Sequence, residues 1–209
     1  MSDNPTVYIV DDDAVVRDAL KLLMESVGLQ VATFASAQEY LDQFDADQAG
    51  CLIVDVRMPG ISGLDLQARL AAERIHPPVI IITGHGDVPM AVRAVQAGAV
   101  DFLEKPFNNQ AMLDSVHHAI EMDAKRRGES SRLQEIEERY DSLTPREKEV
   151  LQLVIEGKRN KNIAFDLDIS QSTVEVHRSR VMEKMQARTL SDLMRMTMAM
   201  DLLKADQPL

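Results

Sequence analysis

The chain has 209 residues, 45% of them apolar and 27% charged, ordinary usage for globular protein and enough for two domains of about 100 residues each. A single cysteine, Cys51, excludes a disulfide framework and a multi-thiolate metal site; no apolar run approaches the ~18 residues that span a bilayer, and no basic stretch precedes an apolar one at the amino terminus, so a cytoplasmic location without membrane contact is expected. The net charge of -11 is uneven, with 12 Lys/Arg against 24 Asp/Glu in residues 1–141 and 11 against 10 in residues 142–209, which leaves a basic face in the second part open to nucleic acid.

Over the first 107 residues, short apolar runs alternate with amphipathic stretches, the pattern of a parallel sheet covered by helices. Strands are predicted at Val7–Val10, Gln30–Phe34, Leu52–Asp55, Val79–Thr83 and Asp101–Glu104, with helices at 14–27, 37–44, 63–74 and 89–97 between them. Leu20, Leu23, Met24 and Val27 have the spacing of a core-facing stripe, and Gly28 and Gly98 stand where left-handed caps end helices. From Gln110 a helical stripe through Leu113, Val116 and Ile120 is interrupted by Lys125–Ser131, and Leu133, Ile136 and Tyr140 make a second one. That second stripe reads either as a solvated linker helix against its own domain or as a dimerising connector.

Thr144-Pro145-Arg146-Glu147 is a capping box with proline at the first helical position, so a helix starts there. Gly157 ends it, and Asn160 can cap a second helix carrying Ile163, Ala164 and Leu167. Ser170 or Ser172 can cap a third running to about Met185, and a fourth follows from Ser191. Two short helices joined by Asp168-Ile169-Ser170 are a helix-turn-helix arrangement. The predicted division is 1–123, a helical linker 124–141, and 142–209.

Three strand ends carry chemistry. Asp11 and Asp12 follow the first strand, Asp55 ends the third, and Lys105 follows the fifth. In an open parallel sheet the crevice lies outside the carboxyl ends of the strands, where the winding reverses, so these groups can converge. Clustered carboxylates repel unless a cation compensates, and Mg²⁺ is the natural hard guest, with Asp11 and Asp12 as holders. A carboxylate beside Mg²⁺ and an ammonium can attack a phosphoryl group, which makes Asp55 the candidate nucleophile, Lys105 a charge neutraliser and Thr83 a hydroxyl at the same rim. Any one of these residues alone would read as a surface acid or a strand-ending polar group; their recurrence at successive strand ends is the signal.

Asp11-Asp12, Asp55 with Met58-Pro59-Gly60, Thr83-Gly84 and Lys105-Pro106-Phe107 resemble the receiver domain of two-component response regulators. Gly84 to Val92 and Ala97 to Phe102 resemble its FixJ-type branch. The resemblance implies a five-stranded doubly wound, flavodoxin-like fold in which Asp55 accepts phosphate from a sensor histidine kinase. It implies Mg²⁺ held by Asp12, Asp55 and the Arg57 carbonyl, with Asp11 acting largely through water. It also implies a switch pair, Thr83 and Phe102, although Phe102 alone would read as a buried strand aromatic, and roles for Arg57 and His85 in phosphate lifetime.

In the second part, a helix from Ser172 would put Glu175, Val176, Ser179, Arg180 and Glu183 on one face and Val174, Val181 and Met185 on the core face. Glu175 can accept from cytosine N4, Val176 can touch a thymine methyl and Ser179 is adaptable, with Arg180 on the same DNA-binding face. Lys161, Thr173, His177, Arg178 and Lys184 are placed to meet phosphates. A polar helix face alone would be read as solvated. Leu143 to Glu147, Gly157, Asn160 to Ala164, Leu167, Ile169-Ser170, Thr173-Val174, His177 and Lys184-Met185, however, resemble the LuxR/NarL-type output domain. That resemblance implies a recognition helix in the major groove and a last helix that helps pair two subunits. Most of its methionines, Met194 to Met200, are explained as core, with one exposed row left for the dimer contact.

The expectation is therefore a phosphorylation-switched transcription regulator and not an enzyme, bound to promoter DNA as a homodimer formed on phosphorylation. RNA polymerase is a further partner, activation is the expected sense, and half-sites should lie about one helical turn, ~34 Å, apart. An aspartyl-phosphate phosphatase of the haloacid dehalogenase kind would need a second acid two residues after Asp55, where Arg57 stands. The other rival is a helical end that binds a protein partner and not DNA.

Overall fold

The structure, a computed structural model, describes residues 4–45, 48–73, 75–84 and 88–205. It divides into two compact units, residues 1–127 and 128–209. In the first unit, β1 (Thr6–Val10), β2 (Gln30–Phe34), β3 (Gly50–Asp55), β4 (Val79–Thr83) and β5 (Asp101–Glu104) form one parallel sheet in the order β2-β1-β3-β4-β5. Its helices are α1 (Ala14–Ser26), α2 (Ala37–Gln43), α3 (Gly63–Ala72), α4 (Val88–Gln96) and the first part of α5 (Asn109–Asp141).

The three inner strands read as unbroken apolar runs because both of their faces are covered. Residues alternate between two cores, as the pleat requires. Tyr8, Val10, Leu52, Val54 and Ile81 pack with Tyr40, Leu66, Leu70 and Ala94 from α2, α3 and α4. Val7, Ile9, Cys51, Ile53, Ile80 and Ile82 pack with Leu20, Met24, Met112, Val116 and Ala119 from α1 and α5. Burial pushes the Cys51 thiol up to about 12, as suits an inert core residue.

Two local expectations are corrected and a third is completed. Val27 is not part of the α1 stripe: the helix ends at Ser26, and Val27, its C-cap, leaves helical geometry just before Gly28 (φ 81°) and is 44% exposed. The apolar stripe on α5 lapses at 125–131, as expected, while the helix itself runs unbroken from Asn109 to Asp141. A glycine costs only about 1 kcal/mol inside a helix. Just before Gly128, Arg126 and Arg127 both bond the buried Asp123 carboxylate, 2.7 Å each, which also accepts Gly50 N–H at 2.9 Å. The other correction concerns Asn160, which is the first helical residue of its helix and does not cap it; Arg159 holds the cap position.

The second unit contains α6 (Pro145–Ile155), α7 (Asn160–Asp166), α8 (Gln171–Lys184) and α9 (Leu190–Ala205). The capping box at α6 is complete, with Thr144 and Glu147 exchanging backbone-to-side-chain bonds. Val150, Leu151, Val154, Ile163, Val174, Val181, Met185, Leu193 and Met200 form the core, and Ile136 from the last part of α5 is buried in it. Among the described residues no helix is long and apolar enough to cross a membrane.

Candidate functional site

In the first unit the winding reverses between β1 and β3, whose register pairs Val10 with Val54. The next residue on each strand therefore stands beside the other: Asp11 and Asp55 face each other at the switch point. β5 brings Lys105 to the same place, its backbone N–H donating to Thr83 O at 2.7 Å. The Lys105 ammonium donates to Asp11 Oδ2 at 2.6 Å and to Asp55 Oδ1 at 2.7 Å. Asp11 and Asp55 are nearly fully buried, at 1% and 5% exposure. Their remaining oxygens accept backbone N–H groups, Asp13 N to Asp11 Oδ1 at 2.9 Å and Arg57 N to Asp55 Oδ2 at 2.6 Å.

Burying a carboxylate disfavours its charged form, and a neighbouring ammonium offsets that. Burial raises the Asp11 carboxyl above its usual range, against the pull of Lys105. Burial alone would lower the Lys105 ammonium, but its bonds to Asp11 and Asp55 outweigh that and hold it above the ordinary lysine value.

The other expected residues stand at different depths. Asp12 is exposed, while Asp13 caps α1 by accepting Val15 N–H at 2.8 Å. Thr83 is fully buried at the end of β4, opposite Glu104. Phe102 is half-buried and packs against the core of the α2, α3 and α4 side. His85, with Gly86 and Asp87 after it, lies outside the described residues. Among the described residues no three His, Cys, Asp or Glu side chains are grouped closely enough to hold a metal. Asp11 and Asp55 nonetheless present two hard oxygen donors, and that set fits Mg²⁺, which keeps much of its water shell and takes one or two carboxylates.

Two supporting residues had no sequence signal. Arg17, one turn into α1, donates through Nη1 to Asp11 O at 2.6 Å and so fixes the exit of β1. Gly63 opens α3 against β3: a Cβ there would lie 2.3 Å from Asp55 O, so only glycine allows the approach. An apolar groove of about 470 Å³, lined by Val15, Val16, Ala19, Leu20, Leu23 and Phe107, opens beside Lys105.

In the second unit α7 and α8 are joined by a turn in which Asp168 takes a left-handed conformation (φ 52°), and Ser170 caps α8 by accepting Thr173 N–H at 3.0 Å. Val174, Val181 and Met185 face the core; Thr173, Glu175, Val176, Ser179 and Arg180 are exposed, Val176 by 50%. Lys161 on α7 is exposed as well. The remaining expected contacts are turned inward or already bonded. Arg178 donates to Asn160 Oδ1 at 3.0 Å, and His177 buries its Nδ1 with no partner among the described residues. Lys184 donates to the buried Glu147 carboxylate at 2.7 Å and to Ser142 O at 3.1 Å. The Lys184 bond, with the Thr144 cap, holds the Glu147 carboxyl at about 2, well below the usual range. The signal missed was Glu147 itself, whose capping box places a carboxylate within the domain and invites a cation.

Comparison with known proteins follows the two units. Residues 7–117 match the family described as response regulator receiver domain, and residues 141–197 match that described as bacterial regulatory proteins, luxR family. The chain is 48% identical over 191 residues to "Nodulation protein W" of Bradyrhizobium diazoefficiens, covering 91% of this chain and 84% of that protein. It is 45% identical over 192 residues to "Transcriptional regulatory protein FixJ" of the same organism, covering 92% and 94%. Among solved structures, response regulator StyR superposes with a TM-score of 0.87 at 45% identity, covering 93% of this chain and 98% of that one.

Proposed function

Because the chain belongs to the response regulators of two-component systems, with a receiver domain followed by a LuxR-type DNA-binding domain, we propose that Asp55 is its phosphoacceptor and that the phosphorylated form pairs on promoter DNA. The single observation that carries this is the Lys105 ammonium held between the buried Asp11 and Asp55 carboxylates. In the transfer, an Asp55 carboxylate oxygen forms a bond to phosphorus as the phosphorus–nitrogen bond of the kinase phosphohistidine breaks. Lys105 neutralises charge on the phosphoryl oxygens from one side. Asp11, Asp12, Asp55 and the Arg57 carbonyl would hold Mg²⁺, which supplies further neutralisation of the same oxygens. Thr83, at the rim of β4, then follows the phosphoryl group, and Phe102 turns inward with it. The apolar groove beside Lys105 offers the donor protein a surface next to the acceptor.

The reading extends to the rest of the chain. Residues 1–123 form the receiver, 124–141 the connector and 142–209 the DNA reader, and the protein works in the cytoplasm. Glu175, Val176, Ser179 and Arg180 face the bases and the groove wall, Lys161 and Thr173 the backbone. Phosphate-dependent pairing of two chains presents two readers to a pseudo-palindromic site and RNA polymerase to its promoter. Incubation with acetyl phosphate and Mg²⁺, followed by intact-mass analysis, tests the acceptor: one phosphoryl group is expected on the native chain and none on Asp55→Asn. A phosphorylated Asp55→Asn chain would reject the assignment.

A further inference from the structure

DNA binding draws on cations that are free to meet phosphates, and the second unit separates those that are free from those already engaged. Lys184 is bonded to Glu147 and Ser142 O, Arg178 to Asn160, and Arg146 to Glu149 and to Leu167 O. Lys158 pairs with Asp166 and Arg195 with Asp192. Arg159, Lys161 and Arg180, by contrast, are exposed, and their side chains make no hydrogen bond or ion pair among the described residues.

Their placement is as informative as their freedom. With about 100° per residue, the core residues Val174, Val181 and Met185 define the inner face of α8 and leave Val176, Ser179 and Glu183 on the outer one. Arg178 lies on one flank, and its bond to Asn160 shows that the start of α7, with Arg159 and Lys161, adjoins that flank. Arg180 lies on the other flank, about 120° round from Val174 by the same helical spacing. A helix seated in the major groove has a phosphate strand on each side, so free cations on both flanks of the exposed face stand on the sides where the two backbones would run. Lys184 shares the Arg180 flank, but its ammonium is turned back to the junction before α6, away from the outer face.

Resting on the DNA-binding reading above, we propose that the reader grips the backbone on both flanks of α8 through Arg159 and Lys161 on one side and Arg180 on the other, and that Lys184 is an internal strut with no phosphate contact. Arg159 thereby becomes a DNA contact, and Lys184 leaves the DNA-facing set. Each phosphate neutralised releases condensed counterions, so the slope of log affinity against log salt counts the contacts, about 0.9 per phosphate.

The test is fluorescence polarisation of the full-length chain, phosphorylated with acetyl phosphate, on a mixed-sequence 30-base-pair duplex over a series of KCl concentrations, with probe length and salt range chosen by the experimenter. Arg159→Gln and Arg180→Gln should each reduce the slope by about 0.9 per bound subunit. Removing Lys184 alone strands a buried carboxylate, so the informative variant is the double Lys184→Met, Glu147→Gln, which keeps the capping box, since glutamine serves there as well as glutamate. With folding verified by circular dichroism, its slope should equal that of the native chain. A native slope in Arg159→Gln or Arg180→Gln, or a slope lowered by about 0.9 in the folded double variant, would overturn the inference while leaving DNA binding intact. No salt-dependent binding by the native chain would instead overturn the DNA-binding reading and the inference with it.

Discussion

Replacing Lys184 by Met should destabilise the second unit more than replacing Glu147 by Gln, although both changes delete the same 2.7 Å bond. The asymmetry follows from burial: the Glu147 side chain is 3% exposed and that of Lys184 is 34% exposed. Lys184→Met leaves a carboxylate with no cation in a nearly closed site, where breaking a buried pair costs about 3–5 kcal/mol. The Thr144 N–H, 2.9 Å from the same oxygen, still solvates it, and the exposed side of the pair is screened, so we expect about 2–3 kcal/mol. Glu147→Gln retains the cap and leaves an ammonium that water can reach, for about 0.5–1 kcal/mol.

Acid distinguishes the two further. The native carboxyl sits at about 2 where 4.5 is ordinary. A depressed folded value means that the pair stabilises fully above pH 4.5 and loses its contribution as pH falls toward 2. In Lys184→Met the largest cause of that depression is gone, so the carboxyl protonates more readily, and the deficit relative to the native chain shrinks on acidification. Hydrogen exchange of α6 and α8 amides in the full-length chain, read by mass spectrometry, gives the local opening free energies. Equal exchange in the two variants, or faster exchange in Glu147→Gln, would refute the burial argument.

Lys105→Met removes a charge-assisted bond worth about 1.5–3 kcal/mol, so the rate of Asp55 phosphorylation by acetyl phosphate should fall by roughly 10- to 150-fold; a native rate in quench-flow or gel-shift assays would remove Lys105 from the reaction. Gly63→Ala drives a Cβ against the Asp55 carbonyl and should cost about 1–3 kcal/mol as an overpacked site, with slower phosphorylation besides; unchanged unfolding by urea would show that α3 can retreat freely. Chelation of Mg²⁺ by EDTA should abolish phosphoryl uptake and restoration of Mg²⁺ should return it, whereas uptake in excess EDTA would rule out a metal at Asp11 and Asp55.

Much of the receiver was legible because its three inner strands are buried on both faces: the apolar runs stand out, and Asp11 and Asp55 are the carboxylates at the ends of two of them. Lys105 follows the outer strand β5, and the switch-point rule is enough to bring the three together. Helix punctuation was also legible where one local residue decides it, as at Gly28, Gly98 and the Thr144–Glu147 box. What escaped depends on partners distant in sequence. Nothing near Arg17 says that its guanidinium holds Asp11 O, and nothing near Gly63 says that the carbonyl of Asp55 lies where a methyl would go. What the sequence did not reveal along α5 is that i,i+3 and i,i+4 bonds from Arg126 and Arg127 to the buried Asp123 brace the helix just before Gly128. In the reader, helical spacing places Arg178 and Lys184 on the flanks of α8, but only the fold reveals that Asn160 and Glu147 already take their donors.

The central claim is that a phosphoryl group on Asp55 controls the DNA reader. Its most direct test is recovery of fragmented genomic DNA on the purified full-length chain at fixed near-physiological salt with Mg²⁺, with and without acetyl phosphate, and with Asp55→Asn in parallel. The account predicts a small set of fragments enriched only with acetyl phosphate and only when Asp55 is present. Enrichment of the same fragments to the same extent by Asp55→Asn, or without acetyl phosphate, would contradict it.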